Sequence, residues 1–234
     1  MEQAVYDFEE RDAIIEATVE RLLASAGIDR PPVDPERIAR AARINVLDRD
    51  LPQRRGQSYR YRGMKSVDLG RADRAERRNF TLAHEIMELE LPSIASDKQA
   101  KHETAIRGAA ALLCPARFFR ACLQGTCTTA PFDLFRLKAV FSTASHEVVA
   151  LRSLDFSEAI ITVFDNGRLV NRQTSYPFGI QPVTPQERDA MRRAMRSGEA
   201  CEETWAGASA TAYPIFDNAI KRVILRTTLD PAFL

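Results

Sequence analysis

Four side chains stand out for the chemistry that their types and spacing permit: His84, Glu85 and Glu88 in the segment HEIME, and His102 further along the chain. On an α-helix residues four apart share a face, so His84 and Glu88 can reach one ion. Glu85 lies about 100 degrees around the axis, giving two ligands and a base. Zinc takes imidazole nitrogen at about 2.0 Å and carboxylate oxygen at about 2.0 to 2.2 Å, and a catalytic site needs three protein ligands plus one open position. A third ligand is therefore required. The short motif of this kind is H-E-x-x-H, whose second histidine is Glu88 here, and HEIME taken alone also reads as ordinary surface chemistry. His102, one of only three histidines, falls on the next helical segment, in a position to face back toward HEIME. Beside Lys101 and Glu103 it also reads as a solvated helix residue. Together the three ligand candidates supply two imidazoles and one carboxylate, the composition of one class of catalytic zinc centre, here assigned to different positions.

These groups need rigid elements to hold them. The stretch Ala75 to Leu91 is apolar on more than one face, through Phe80, Leu82, Ala83, Ile86, Met87, Leu89 and Leu91. That pattern predicts a helix buried in a core and stopped by Pro92. A polar loop, SIASDKQ, leads to a helix KHETAIRGAAALLCP, whose Gly108, Ala109, Ala110 and Ala111 permit close helix packing before Pro115. Upstream, Ile14, Ile15, Val19, Leu22 and Leu23 share one face of a helix over Arg11 to Ile28 that stops at Gly27. Asp34-Pro35 starts a short helix, and Ile44 and Val46 alternate as a strand. Two more strands are expected at Ser58 to Arg62 and Met64 to Leu69 around Gly63. Shorter helices follow near Ala116 to Leu123, Pro131 to Val140 and Ser145 to Leu154. After Asp155 the character changes: AIITVFDNGRLVNRQT is a hairpin around Asn166-Gly167. A charged helix TPQERDAMRRAMRS and strands at Ser209 to Ile215 and Lys221 to Thr227 complete a small second segment.

The composition bounds the functional classes. With 234 residues that are 45% hydrophobic, the chain can build a sizeable core without staples. Lys+Arg 33 against Asp+Glu 32 leaves a formal charge of +1, so no global field draws it to nucleic acid. The acidic start MEQAVYDFEERDAII lacks the pattern of a secretory signal, and no run of about 18 apolar residues occurs, which points to a soluble cytoplasmic protein with no membrane association. The four cysteines, Cys114, Cys122, Cys127 and Cys201, form no CxxC pair and read as reduced thiols.

The segment RRNFTLAHEIMELEL resembles the R-x-x-F-T-L-A-H-E-x-x-H segment of the ImmA/IrrE metallopeptidases, and HETAIRGAAALLCP is similar to their E-x-x-x-N-x-F-A-A-x-L-L-M-P segment. PPVDPERIARAARINV resembles the family's P-V-D-x-x-x-I-A-x-x-x-G-I-x-V opening, and FSTASHEVVALRSL its F-x-V-S-x-x-A-x-x-x-R-L segment, so the likeness covers roughly Ile28 to Leu154. Aligning Leu112, Leu113 and Pro115 with L-L-M-P puts His102, and not Glu103, where the family has its glutamate ligand, while Glu88 takes the second histidine position. The two departures exchange places, as expected of a working site and not of a decaying one. The resemblance implies metal binding by His84, Glu88 and His102, with Glu85 as general base toward a water that the ion activates. Zinc is the default ion, with manganese or iron as alternatives for a site richer in oxygen. Moving the carboxylate onto the HExxE helix changes where its second oxygen lies, so ligation alone does not establish turnover. For the residue that stabilises the transition state, Tyr59, Tyr61, Arg107 and His146 are all candidates. His146, beside Ser145 at a helix start, reads better as structural.

The resulting expectation is an α+β fold. A mainly helical, zincin-like metallopeptidase domain with a small sheet occupies residues 1–154. A small α/β domain at 155–234 serves as sensor or partner-binding module. The function implied by the resemblance is metal-dependent cleavage of a helix-turn-helix transcriptional repressor or similar protein partner, relieving repression under stress or in a mobile element. Two alternatives stay open. One is a catalytically inactive, metal-stabilised binding or sensor module. The other is a DNA-binding regulator using residues 131–154 as a helix-turn-helix, which has against it a second helix, SHEVVALR, with Arg152 as its only cation.

Overall fold

A computed structural model describes residues 8–51, 55–71, 74–91, 98–124, 132–217 and 219–230. Residues 1–7 of the acidic start, the Pro92 stop, most of the following polar loop, Cys127 and Pro131 lie outside the described residues. The protein is an α+β structure that divides into two compact units, Met1–Ser145 and His146–Leu234. Among the described residues no helix is long and apolar enough to cross a membrane.

In the first unit, α1 (Phe8–Ala26), α2 (Pro35–Ala41), β1 (Ile44–Arg49), β2 (Gly56–Tyr61), β3 (Met64–Gly70), α3 (Ala75–Glu90), α4 (Lys98–Leu113), α5 (Ala116–Leu123) and α6 (Leu134–Val140) follow in order. The Asp34 carboxylate caps α2 by accepting from the Glu36 amide at 2.9 Å, with Pro35 in the first turn, so the Asp-Pro start works as its chemistry requires. The sheet order is β1-β3-β2, with β1 parallel and β2 antiparallel to β3. Arg62 and Gly63 turn β2 into β3 with both φ values positive, at 49° and 82°. This is the two-residue hairpin geometry that matches strand twist.

Helix α3 runs through the middle of this unit and packs on α2, α4, β2 and β3. Its residues Thr81 to Met87 are all buried, the consequence of apolar side chains on more than one face. Two glycines set how closely its neighbours approach. A Cβ on Gly108 of α4 would stand 2.8 Å from Cε and 3.2 Å from Cβ of Met87, so the helices meet where α4 has no side chain. A Cβ on Gly56 of β2 would stand 2.5 Å from Thr81 Cγ2 and 3.0 Å from Glu85 Oε1, so β2 lies directly on the HEIME helix. At the far end of α3, Arg60 donates to the Leu89 carbonyl and Lys65 pairs with Glu90, placing cations at the helix C-terminus where its dipole favours them.

The second unit contains α7 (His146–Arg152), a short 3-10 turn (Ser153–Asp155), β4 (Ile160–Asp165), β5 (Arg168–Thr174), α8 (Pro185–Ser197), β6 (Cys201–Trp205), β7 (Ala208–Phe216) and β8 (Lys221–Leu229). Its five strands form an antiparallel sheet of order β5-β4-β8-β7-β6. Helix α8 covers it over a core of Phe164, Ala190, Met191, Ala194, Ala212, Val223 and Leu225. The helix is pinned by Glu187, which is fully buried. Glu187 completes a capping box with Thr184, receives both terminal nitrogens of Arg172 at 3.0 and 3.1 Å, and accepts from Thr227 at 2.6 Å. A charge this deep is stable only with every lone pair answered, as here.

The unit begins at His146, ahead of the expected boundary after residue 154, because α7 packs on β4 and β8 and Glu147 pairs with Arg222 at 2.8 Å. The two helices read as a possible helix-turn-helix, α6 and α7, consequently fall in different units.

Candidate metal centre

His84 and Glu88 stand one turn apart on α3, with His84 Nε2 at 3.2 Å from Glu88 Oε1. His102, near the start of α4, brings its ring edge-on to His84, centroids 4.9 Å apart at 71°. One ligand atom from each of the three lies within 4.8 Å of the other two. A tetrahedral zinc with bonds near 2.0 Å separates its ligand atoms by about 3.3 Å, so the 3.2 Å between His84 and Glu88 already suits such an ion. The donor set of two imidazoles and a carboxylate fits zinc by type as well as by number. His84 is 9% exposed, whereas Glu88 and His102 face solvent, so the group opens to the surface on one side.

Glu85 sits beside this group under different conditions. It is 6% exposed, and its Oε2 is buried with no hydrogen-bond partner among the described residues. Burial pushes its carboxyl above the ordinary range, hydrogen bonding to Ser58 offsets part of that, and the neighbouring charge of Glu88 adds to it. Glu88 is held below its ordinary range, first by its hydrogen bond to His84, against the cost of burial, with help from Ser58. The two neighbouring carboxylates thus sit in opposite environments, Glu88 held toward its charged form and Glu85 toward its neutral one.

The pleat of β2 decides which of its side chains join the site. Alternate residues face alternate sides, so Gly56, Ser58 and Arg60 meet α3 while Tyr59 and Tyr61 point to the other face. Tyr59 donates to Asp68 at 3.4 Å, and Tyr61 is 58% exposed at the hairpin end. Arg107 pairs with Asp12 of α1 at 2.6 Å, and His146 belongs to the other unit. Tyr59 and Tyr61, two of the sequence candidates for a stabilising group, are thus turned away from the cluster. The residue that does reach it is Ser58, whose Oγ donates to Glu88 Oε2 at 2.9 Å. The signal in the sequence was the alternation Gly56, Ser58 on a strand opposite HEIME, legible only once the facing side of the strand is known.

Residues 39–152 match the sequence profile of peptidase family M78, described as the IrrE N-terminal-like domain. The HEIME helix, the His102 helix and Ser58 all fall inside it. No curated protein sequence matches the chain significantly. Among solved structures, a Mycobacterium tuberculosis transcriptional regulator shares the fold, with a TM-score of 0.68 at 18% identity over 96% of this chain and 78% of that one. The structural likeness therefore extends well beyond residues 39–152.

Proposed function

We propose that the chain is a regulatory metallopeptidase that binds one divalent ion, zinc by default, on His84, Glu88 and His102 and cleaves a protein partner with Glu85 as general base. The observation that carries this reading is the convergence of the three ligand atoms within 4.8 Å, beside a buried carboxylate raised in proton affinity. The peptidase family of residues 39–152 supports the reaction class, and the regulator name of the M. tuberculosis protein of similar fold supports the regulatory setting. When bound, the ion supplies Lewis acidity at the open side of the group. The protein's own part is then to receive a proton from the attacking water at Glu85 and return it to the departing amine. Among the described residues β2 pairs only with β3, so its outer backbone groups stand ready to receive an extended segment. A helix-turn-helix repressor is the substrate class we propose, acting in the cytoplasm, with 155–234 as the part that recognises a partner or signal.

Metal content per chain, measured by mass spectrometry on wild type and on His84→Ala, Glu88→Ala and His102→Ala, tests the site. About one ion in wild type, lost in each variant, is the expected result; a metal-free wild type, or retention in His102→Ala, overturns the ligand set. Cleavage of candidate repressors with Glu85→Gln as control then tests turnover. Bound metal without any cleavage would instead leave a metal-stabilised binding module.

A further inference from the structure

The carboxylate of Glu88 has its two oxygens directed to different partners. Oε1 lies 3.2 Å from His84 Nε2, one of the other candidate ligands, while Oε2 accepts the Ser58 hydroxyl at 2.9 Å. An imidazole at this helix position would present a single nitrogen to an ion. A carboxylate brings two oxygens and can grip an ion with both, raising the coordination number and favouring larger, oxygen-tolerant cations. A hydrogen bond to one oxygen removes that freedom, because swinging Oε2 toward the ion forfeits the Ser58 bond.

We propose that Ser58 is a positioning residue that holds Glu88 to one ligand oxygen, keeping the site four-coordinate and selective for zinc over manganese. The inference rests on the reading of His84, Glu88 and His102 as a metal site. Ser58 can do this because it sits on the face of β2 that Gly56 lets down onto α3, two residues from the glycine that has no room for a Cβ. The strand thus delivers a hydroxyl to the one ligand whose chemistry needs a second partner.

The test is competition of the protein against a chromophoric chelator for zinc and for manganese, in wild type, Ser58→Ala and Ser58→Thr. Loss of a group that orients a ligand typically weakens metal affinity about 10- to 100-fold. We expect Ser58→Ala to lose zinc affinity in that range while manganese affinity falls less, and Ser58→Thr, which keeps the hydroxyl, to match wild type. In the cobalt-loaded proteins, the strong visible bands of a four-coordinate ion should weaken in Ser58→Ala toward those of a five-coordinate one. Glu88→His separates this role from a merely structural one: with no second oxygen to restrain, adding Ser58→Ala to Glu88→His should leave zinc affinity unchanged. Equal zinc-to-manganese ratios in wild type and Ser58→Ala, or an equal loss in the Glu88→His background, overturn the proposal. A wild type that binds neither ion overturns the metal site itself, a result distinguishable from the first.

Discussion

Glu85 should make the metal-free protein less stable than it needs to be, and replacing it with glutamine should show this. The side chain is 6% exposed and one carboxylate oxygen has no partner among the described residues. A buried polar atom left unsatisfied costs about 1 to 3 kcal/mol, and more when charged. Glutamine has the same size and still buries an amide, so what it removes is the charge. The expected gain in chelator-treated Glu85→Gln is therefore about 1 to 2 kcal/mol at pH 8, the charged part of that cost. The sign with pH follows from the raised carboxyl. The unfolded chain gives up this proton at the ordinary glutamate value, about 4.3. The folded chain holds it to higher pH, so wild-type stability falls as pH rises through that window. Below about pH 3 both states are protonated and the advantage of glutamine should vanish. Urea unfolding followed by far-ultraviolet circular dichroism reads the helical first unit, while fluorescence of Trp205, the chain's single tryptophan, reads β6 in the second. Zinc should shrink the difference, because a nearby cation favours the carboxylate. Stability curves for wild type and Glu85→Gln that run parallel from pH 4 to 8 would refute the argument.

Gly56→Ala should cost about 1 to 3 kcal/mol by overpacking against Thr81 and should also weaken zinc binding by lifting Ser58 off Glu88, both readable in one titration series. Gly108→Ala should destabilise the first unit by a similar amount through contact with Met87, and in the double variant with Met87→Ala the losses should sum to less than the two separately, since each relieves the other. Glu187→Ala should cost about 3 to 5 kcal/mol in the second unit by leaving Arg172, 6% exposed, with a buried charge, seen as an earlier Trp205 transition.

The three side chains that the structure brings together were legible in the sequence because they depend on local rules. His84 and Glu88 are one turn apart on a helix whose apolar faces announce its burial, and His102 stands out in a chain with three histidines. The α+β fold, the Asp34-Pro35 start and the Asn166-Gly167 hairpin follow from equally local chemistry. What escaped was set by partners distant in the chain. Ser58 matters through Glu88 on another element, and Tyr59 and Tyr61 looked eligible because the facing side of β2 is fixed by Gly56 meeting Thr81. Arg107 is taken up by Asp12 and α7 is drawn into the second unit by Glu147 meeting Arg222. Strand β6, Cys201–Trp205, went unseen because its polar residues alternate at a sheet edge, where half-burial leaves little apolar signal.

The tight Arg62-Gly63 reversal gives β2 a parity. Strand side chains repeat every two residues, so inserting or deleting one residue between Gly56 and that turn would swap the two sides of the strand wholesale. Residues of the outer face would then be turned onto the helix, one of them at the place of Gly56, where there is no room even for a methyl group, and Gly56 and Ser58 would turn away. An odd-numbered change would thus be destabilised as well as deprived of the Ser58–Glu88 contact. An even-numbered change has the chance to keep the sheet while shifting which hydroxyl meets Glu88. Length variation in this strand is therefore filtered by counting in twos, with packing and the Ser58–Glu88 contact passing or failing together.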